Sequence, residues 1–332
     1  MIEKIIQKSL QDKELSEKEI KELFKVPVFS KEGSLLLWAA RIKSNQVSKG
    51  VAEVHAQIGL NIAPCPKNCR FCSFAAQNKV FTESFELPID DAILQARQFE
   101  ADKANAIYLM TTANYPFEQF IETSKEIRHS LKRETVLVAN IGDFTFAQAQ
   151  ELKQVGFSGI YHAVRLKEGK DTRIPLKTRL ETTSNAQDAG LLVGTCVEPV
   201  GTEHSLDELV EKTIITREVK PVYSGAARRI PIPGTILAKY DIVSEAKMAL
   251  ILAAVRLALG SSIKGNCTHE PNVVGACAGA NLLWAEVGSN PRDIIKDTEK
   301  KRGMSVQDCI SILKEAEWSV LDGPSQLYAV SL

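Results

Sequence analysis

The sequence contains no run of about 18 apolar residues, the length a membrane-spanning helix requires. Its most apolar stretch, residues 248–259, is interrupted by Arg256. Net charge is also missing: 41 Lys and Arg balance 41 Asp and Glu, so no global field is offered to nucleic acid or to a membrane surface. Neither partner is expected. The opening stretch, MIEKIIQKSLQDKELSEKEIKELF, is charged throughout and lacks the apolar centre of a secretory signal, which leads to the expectation of a cytoplasmic protein. Low-complexity tracts, linkers and charge blocks are absent too, so one domain with extensions is expected across the 332 residues. Cysteine is sparse and odd in number, seven in a long chain, which argues against a disulfide framework and for metal or redox use.

What is present is strand–helix alternation. Residues 1–50 read as an N-terminal helical extension. Short β-rich runs then follow at 56–62, 106–111, 135–141, 159–164, 191–197, 224–232, 262–266 and 281–287. Helical patterns at 89–101, 117–131, 146–155, 180–189, 206–219 and 244–259 separate most of them. Eightfold alternation of this kind predicts parallel strands joined by crossover helices. The expected fold is therefore α/β, a TIM-type (β/α)8 barrel over residues 51–290, complete or partly open. Residues 291–332 are expected to add a C-terminal helical extension, with helices over 291–302 and 305–317, Ser305 being the N-cap of the second.

After the first β-run comes NIAPCPKNCRFCSFA, which sets Cys65, Cys69 and Cys72 at a C-x3-C-x2-C spacing. Three thiolates this close can reach three irons of one cubane and leave the fourth iron open. Pro64 and Pro66 stiffen the loop by fixing φ, and Phe71 is placed to shield one face. Structural zinc usually takes four protein ligands, and His55 is the only histidine nearby.

CPKNCRFC resembles the cluster loop of the radical S-adenosylmethionine (SAM) superfamily. The likeness runs over about residues 35–295 and is strongest to the biotin synthase branch, which includes biotin synthase, methylornithine synthase and hydrogenase cofactor maturases. A two-component type of lipoyl synthase resembles the same branch. The resemblance implies a [4Fe–4S] cluster whose open iron is chelated by SAM, and cleavage of SAM to a 5′-deoxyadenosyl radical that takes hydrogen from a small or carrier-bound substrate. It also implies an electron donor such as flavodoxin or ferredoxin. A partner subunit and a homodimer both stay open.

The same likeness supplies candidate SAM contacts. GFSGIYHAVRLKEG resembles the fourth strand and puts His162 and Arg165 at the barrel mouth. DAGLLVGTCVEPVGTEHS resembles the fifth strand and its turn, where Gly201 and Glu203 fall. Thr111, Thr112 and Asn114 follow the second strand, where the superfamily holds the SAM amino group. The departure from biotin synthase lies at its second, [2Fe–2S] cluster: Leu109, Val138 and Gly194 stand where cysteine ligands are expected, and Lys264 near the arginine position. Cys196, two residues beyond Gly194, keeps the same strand face.

Cys196, Cys267, His269 and Glu270 are the candidate catalytic residues at the rim. The two thiols are expected to help bind a second cluster, to donate sulfur or hydrogen, or to act as small hydrophobes. His269 beside Glu270 suits a proton donor or a loop cap. Cys277 and Cys309 read as structural, Cys309 on a surface helix. Of Arg228 and Arg229, strand alternation allows only one to face inward. Two reaction classes follow: sulfur insertion, which makes the chain a transferase and needs a second cluster, and rearrangement or fragmentation of a small molecule, which needs one. A non-catalytic iron–sulfur or zinc scaffold is the remaining alternative.

Overall fold

The computed structural model describes residues 1–329. Eight parallel strands close into a complete barrel: β1 (Val51–Gly59), β2 (Ala106–Met110), β3 (Leu137–Asn140), β4 (Phe157–Tyr161), β5 (Leu192–Gly194), β6 (Tyr223–Arg228), β7 (Gly265–Cys267) and β8 (Leu282–Gly288). β1 lies between β8 and β2, in register Ala56↔Ala285 and Ala56↔Ile107. Closure is made by β7, which pairs β6 at Gly265↔Tyr223 and β8 at Cys267↔Leu282. The TIM-type barrel expected from the alternation is thus closed, not open on one side. Beyond β5 the chain bends and pairs again with β6 over Val197–Val200.

Each strand is buried on both faces, which is why the barrel strands read as short apolar runs. On β1 the outward set Ala52, Val54, Ala56 and Ile58 packs under the helices, while Glu53, His55 and Gln57 alternate into the interior. These inward polar residues hid the first half of the strand, which begins at Val51 rather than at 56. They are partnered on the barrel floor. His55 lies 2.8 Å from Glu53 and 2.9 Å from the Tyr108 hydroxyl, and Tyr108 reaches Tyr223 and Tyr328 at 3.1 Å each. Glu53 accepts the backbone N–H groups of Gln326 and Leu327 at 2.9 and 3.2 Å, which draws residues 325–328 into the base. Glycine makes room for the rings: a Cβ at Gly159 would meet Tyr328 at 2.5 Å, and one at Gly194 would meet the Tyr223 ring at 2.3 Å.

Helices Ile89–Ala101, Phe117–Ser130, Phe146–Val155, Leu176–Asp188, Leu206–Val219 and Glu245–Ala258 form the outer ring. Thr145 and Ser205 open two of them with reciprocal capping boxes that satisfy the first free N–H groups. Glu245–Ala258 is buried continuously from Met248 to Ala258, because the N-terminal helices Ile2–Leu10, Glu17–Phe24 and Lys31–Ser48 lie over it and share its apolar cluster. Arg256, which breaks that apolar run, donates to the carbonyls of Gly260 and Ile263 at 2.6 Å each and so closes the end of its own helix. No helix of the described residues is long and apolar enough to cross a membrane.

The C-terminal extension departs from expectation. Residues 291–302 form turns and one short 3-10 helix, Thr298–Lys300, instead of an α-helix. Asn290 accepts the Arg292 N–H at 2.9 Å and Asp293 accepts that of Ile294 at 2.7 Å, local bonds that compete with helical ones. The second helix forms at Val306–Glu315 with Ser305 as its cap. Residues 330–332 of the expected extension lie outside the described residues. Cys309 is fully buried on the inner face of this surface helix, as a structural residue would be, whereas Cys277 is exposed.

Candidate functional site

The loop after β1 carries Cys65, Cys69 and Cys72, all three free thiols on the wall of one cavity at the C-terminal end of the barrel. Local bonds shape the loop. Cys65 N–H donates to Phe74 O at 2.8 Å and Cys65 O accepts from Ala76 at 3.0 Å. Asn68 takes a left-handed φ of 49° and its amide oxygen accepts the Gln77 N–H at 2.8 Å. The Asn78 side chain donates to the carbonyls of Cys69 and Cys72 at 3.2 and 2.8 Å. Arg70 pairs with Asp171 at 2.8 Å and Arg173 N–H donates to Lys67 O at 2.8 Å, which ties this loop to the one after β4. Phe71 lines the same cavity.

Burial raises all three thiols, Cys69 to about 11 and Cys72 higher still. A bare thiolate is costly there, and a bound cation is what would hold the sulfurs ionised. The donor set, three soft ligands on one wrapped loop and no fourth cysteine on the cavity wall, fits a [4Fe–4S] cluster with one open iron.

Opposite the loop the wall is made of charges held in pairs. Asp143, after β3, accepts from Arg179 at 3.2 Å and lies 3.3 Å from His162 Nε2. Arg179 also lies 3.5 Å from Glu168. Burial holds His162 at about 4, below the ordinary imidazole value, and burial is outweighed at Asp143, where His162 and Arg179 bring the carboxyl to about 2. The second oxygen of Asp143 is buried and makes no hydrogen bond. Arg165 pairs with Glu198, which also accepts from the Tyr161 hydroxyl. On the β8 side, Arg292 Nη2 meets both oxygens of Glu286. Gln57 lies 3.4 Å from Glu286 and accepts from Asn140 at 2.7 Å.

The residues singled out in the sequence divide around this cavity. Thr111, Thr112, His162, Arg165 and His269 line it. Thr112 is held by Asn61, accepting at 3.0 Å through its hydroxyl and donating at 2.8 Å through its N–H. Cys196 and Cys267 lie fully buried in the interior cluster, in contact with each other as a disulfide. Asn114, Gly201, Glu203 and Glu270 are not on the cavity wall. Glu203 is buried against Arg229 at 2.7 and 3.1 Å, so it acts on the wall through that arginine. Glu270 binds Arg228 and, at 2.9 Å, Arg302, facing an outer groove. Arg228 and Arg229 both border the cavity, because β6 ends at Arg228 and alternation no longer applies to the next residue. Leu109 packs outward under the helices. The inward positions of β2 are Tyr108 and Met110, while Val138 on β3 faces the interior.

Sequence reasoning did not single out Asp143, Tyr161, Arg179 or Arg292. Tyr161 stands beside His162 in the quoted fourth-strand segment; the other three lie outside the quoted segments and are brought in by different elements.

No family profile matches the chain. Among curated proteins it is similar to biotin synthase of Anaplasma marginale, 25% identical over 280 residues, covering 79% of this chain and 84% of the relative. Biotin synthase of Heliobacterium modesticaldum is 24% identical over 289 residues, with 82% and 87% covered. Two solved structures share the fold. The [FeFe]-hydrogenase maturase HydG from Carboxydothermus hydrogenoformans superposes with a TM-score of 0.78 at 19% identity, over 98% of this chain and 80% of that one. Methylornithine synthase (PylB) superposes at 0.80 and 15% identity, over 97% and 98%. In sequence the chain is thus similar to biotin synthases, and it shares the closed-barrel fold of HydG and PylB, with the three-cysteine loop at the barrel mouth.

Proposed function

We propose that the chain cleaves SAM reductively at a [4Fe–4S] cluster held by Cys65, Cys69 and Cys72, and that the resulting radical takes hydrogen from a small or carrier-bound substrate in the same cavity. When bound, the cluster supplies the electron that splits the sulfonium; the protein supplies position and exclusion. The observation that carries the reading is the convergence of three free thiols, on one loop, with a cavity walled by paired charges. Arg165 and Arg179 are fixed cations for carboxylates of SAM or substrate. His162 stays neutral near pH 7 and offers a hydrogen bond rather than a charge. The aromatic floor closes the cavity from below, which protects a reactive primary radical from solvent. The electron would come from a small carrier such as flavodoxin or ferredoxin.

Within this class the one-cluster chemistries, rearrangement or fragmentation, are favoured over carbon–sulfur bond formation. A biotin-type sulfur-donor cluster would take cysteines on β2 and β3, and the inward residues there are Tyr108, Met110 and Val138. The test is anaerobic reconstitution followed by iron and sulfide counting, electron paramagnetic resonance and assay of 5′-deoxyadenosine. About four irons per chain and 5′-deoxyadenosine formed on reduction support the reading. Formation of 5′-deoxyadenosine by the Cys65→Ala, Cys69→Ala and Cys72→Ala variants would refute the ligand assignment, and six to eight irons, on the order of two clusters, would return sulfur insertion to the front.

A further inference from the structure

Below the cavity, where the chain bends after β5 and where β7 ends, Cys196, Cys267 and His269 bring two sulfurs and an imidazole nitrogen within 4.8 Å of one another. Both cysteines are wholly buried, and His269 is 9% exposed on the cavity wall. The two sulfurs touch as a disulfide, yet their Cα atoms stand 7.5 Å apart. Beyond about 7 Å a disulfide requires the backbone to move. That movement is opposed here: Cys267 is in register with Gly225 on one side and Leu282 on the other, and Thr195 N–H is bonded to Tyr223 O. Two thiolates on one tetrahedral ion, at bonds of about 2.3 Å, lie roughly 3.8 Å apart. The wider backbone spacing suits that arrangement.

We propose that Cys196, Cys267 and His269 form a second metal site, for a single divalent ion of the zinc type, separate from the cluster loop. Two thiolates and an imidazole are the donor set such an ion prefers, and three protein ligands are the number found where zinc keeps a position open. The imidazole is already oriented. Its ring stacks on Trp284 with centroids 4.7 Å apart, and its Nε2 lies 3.3 Å from the Tyr161 hydroxyl. Buttressing of this kind by a polar group and a packed ring is what fixes a ligating histidine. Glu198 Oε2 is 3.9 Å from the same nitrogen, on the cavity side. The open position therefore serves an anionic sulfur or oxygen of the molecule bound in the cavity, holding it at the floor while the chemistry takes place above. Neither SAM cleavage nor the first cluster is needed for the ion to bind.

The test uses the full chain with Cys65, Cys69 and Cys72 changed to serine, reduced anaerobically and titrated with Co2+. The expected result is one Co2+ per chain, with tetrahedral ligand-field bands and thiolate charge-transfer absorption. Those bands should vanish on adding Cys196→Ser or Cys267→Ser and shift on adding His269→Ala. Absence of the bands in protein whose Cys196 and Cys267 titrate as free thiols overturns the proposal. So does a thiol titration in which the two remain joined after reductant. If the triple-serine background does not fold, metal analysis of the unaltered protein carrying its cluster replaces it: one zinc per chain, lost in Cys196→Ser, supports the site, and no zinc after incubation with the ion overturns it.

Discussion

Arg292 closes on Glu286 through a single nitrogen, Nη2, 2.7 Å from each carboxylate oxygen. Burial raises the Glu286 carboxyl, and Arg292 is the main group opposing that shift. Arg292→Ala should therefore cost on the order of 2–3 kcal/mol at neutral pH, below the full penalty of an orphaned buried charge because Arg292 is partly exposed. The sign with pH is fixed. A carboxyl raised in the folded state binds more protons than in the unfolded one, so its contribution worsens as pH rises from the ordinary value of 4.5 toward the raised one. The variant's deficit should shrink on acidification, as read from denaturant midpoints at pH 5 and pH 8. An equal deficit at both would remove Glu286 from the account.

Asn78 holds the carbonyls of Cys69 and Cys72, two of the proposed cluster ligands, with one amide. Asn78→Ala should lose about 1–2 kcal/mol and release iron to a chelator several-fold faster than the parent under anaerobic conditions. Unchanged release would mean that the loop keeps its shape without those bonds.

His162 is held near 4 against a reference of 6.5. Between those values the unfolded chain binds the extra proton, so stability falls as pH drops through that window. Asp143, held at about 2, adds its loss only below the ordinary aspartate range. His162→Gln should flatten the upper window and leave the acid limb in place. Some slope will persist, because burial also lowers His204 and His269. A profile identical to the parent's across pH 4–6.5 would show that His162 is not buried neutral.

At the barrel base, Tyr328→Phe removes one bond to Tyr108 and should cost about 1 kcal/mol. Tyr328→Ala empties a packed ring position and should cost about 3–5 kcal/mol. Equal midpoints for the two variants would show that residues 325–328 do not fill the base in solution.

The parts of the molecule visible in the sequence are those coded locally. Cys65, Cys69 and Cys72 lie within one loop, so their spacing alone suggests the cubane. The strands are doubly buried apolar runs, which made all eight readable, and Ser305 marks a helix start. The half of β1 that escaped notice carries Glu53 and His55, whose partners are residues 108, 325, 326 and 327. The cavity wall fails for the same reason. His162 was placed through the resemblance, but Asp143 and Arg179, on the elements before and after it, meet it only because three successive barrel elements converge. Leu109 shows the converse error: an aligned position on a short strand, displaced by one residue, lands on the wrong face.

Among the described residues the tyrosine-packed base plugs one end of the barrel. A molecule entering the cavity beside the cysteine loop therefore comes in, and goes out, by the opposite end.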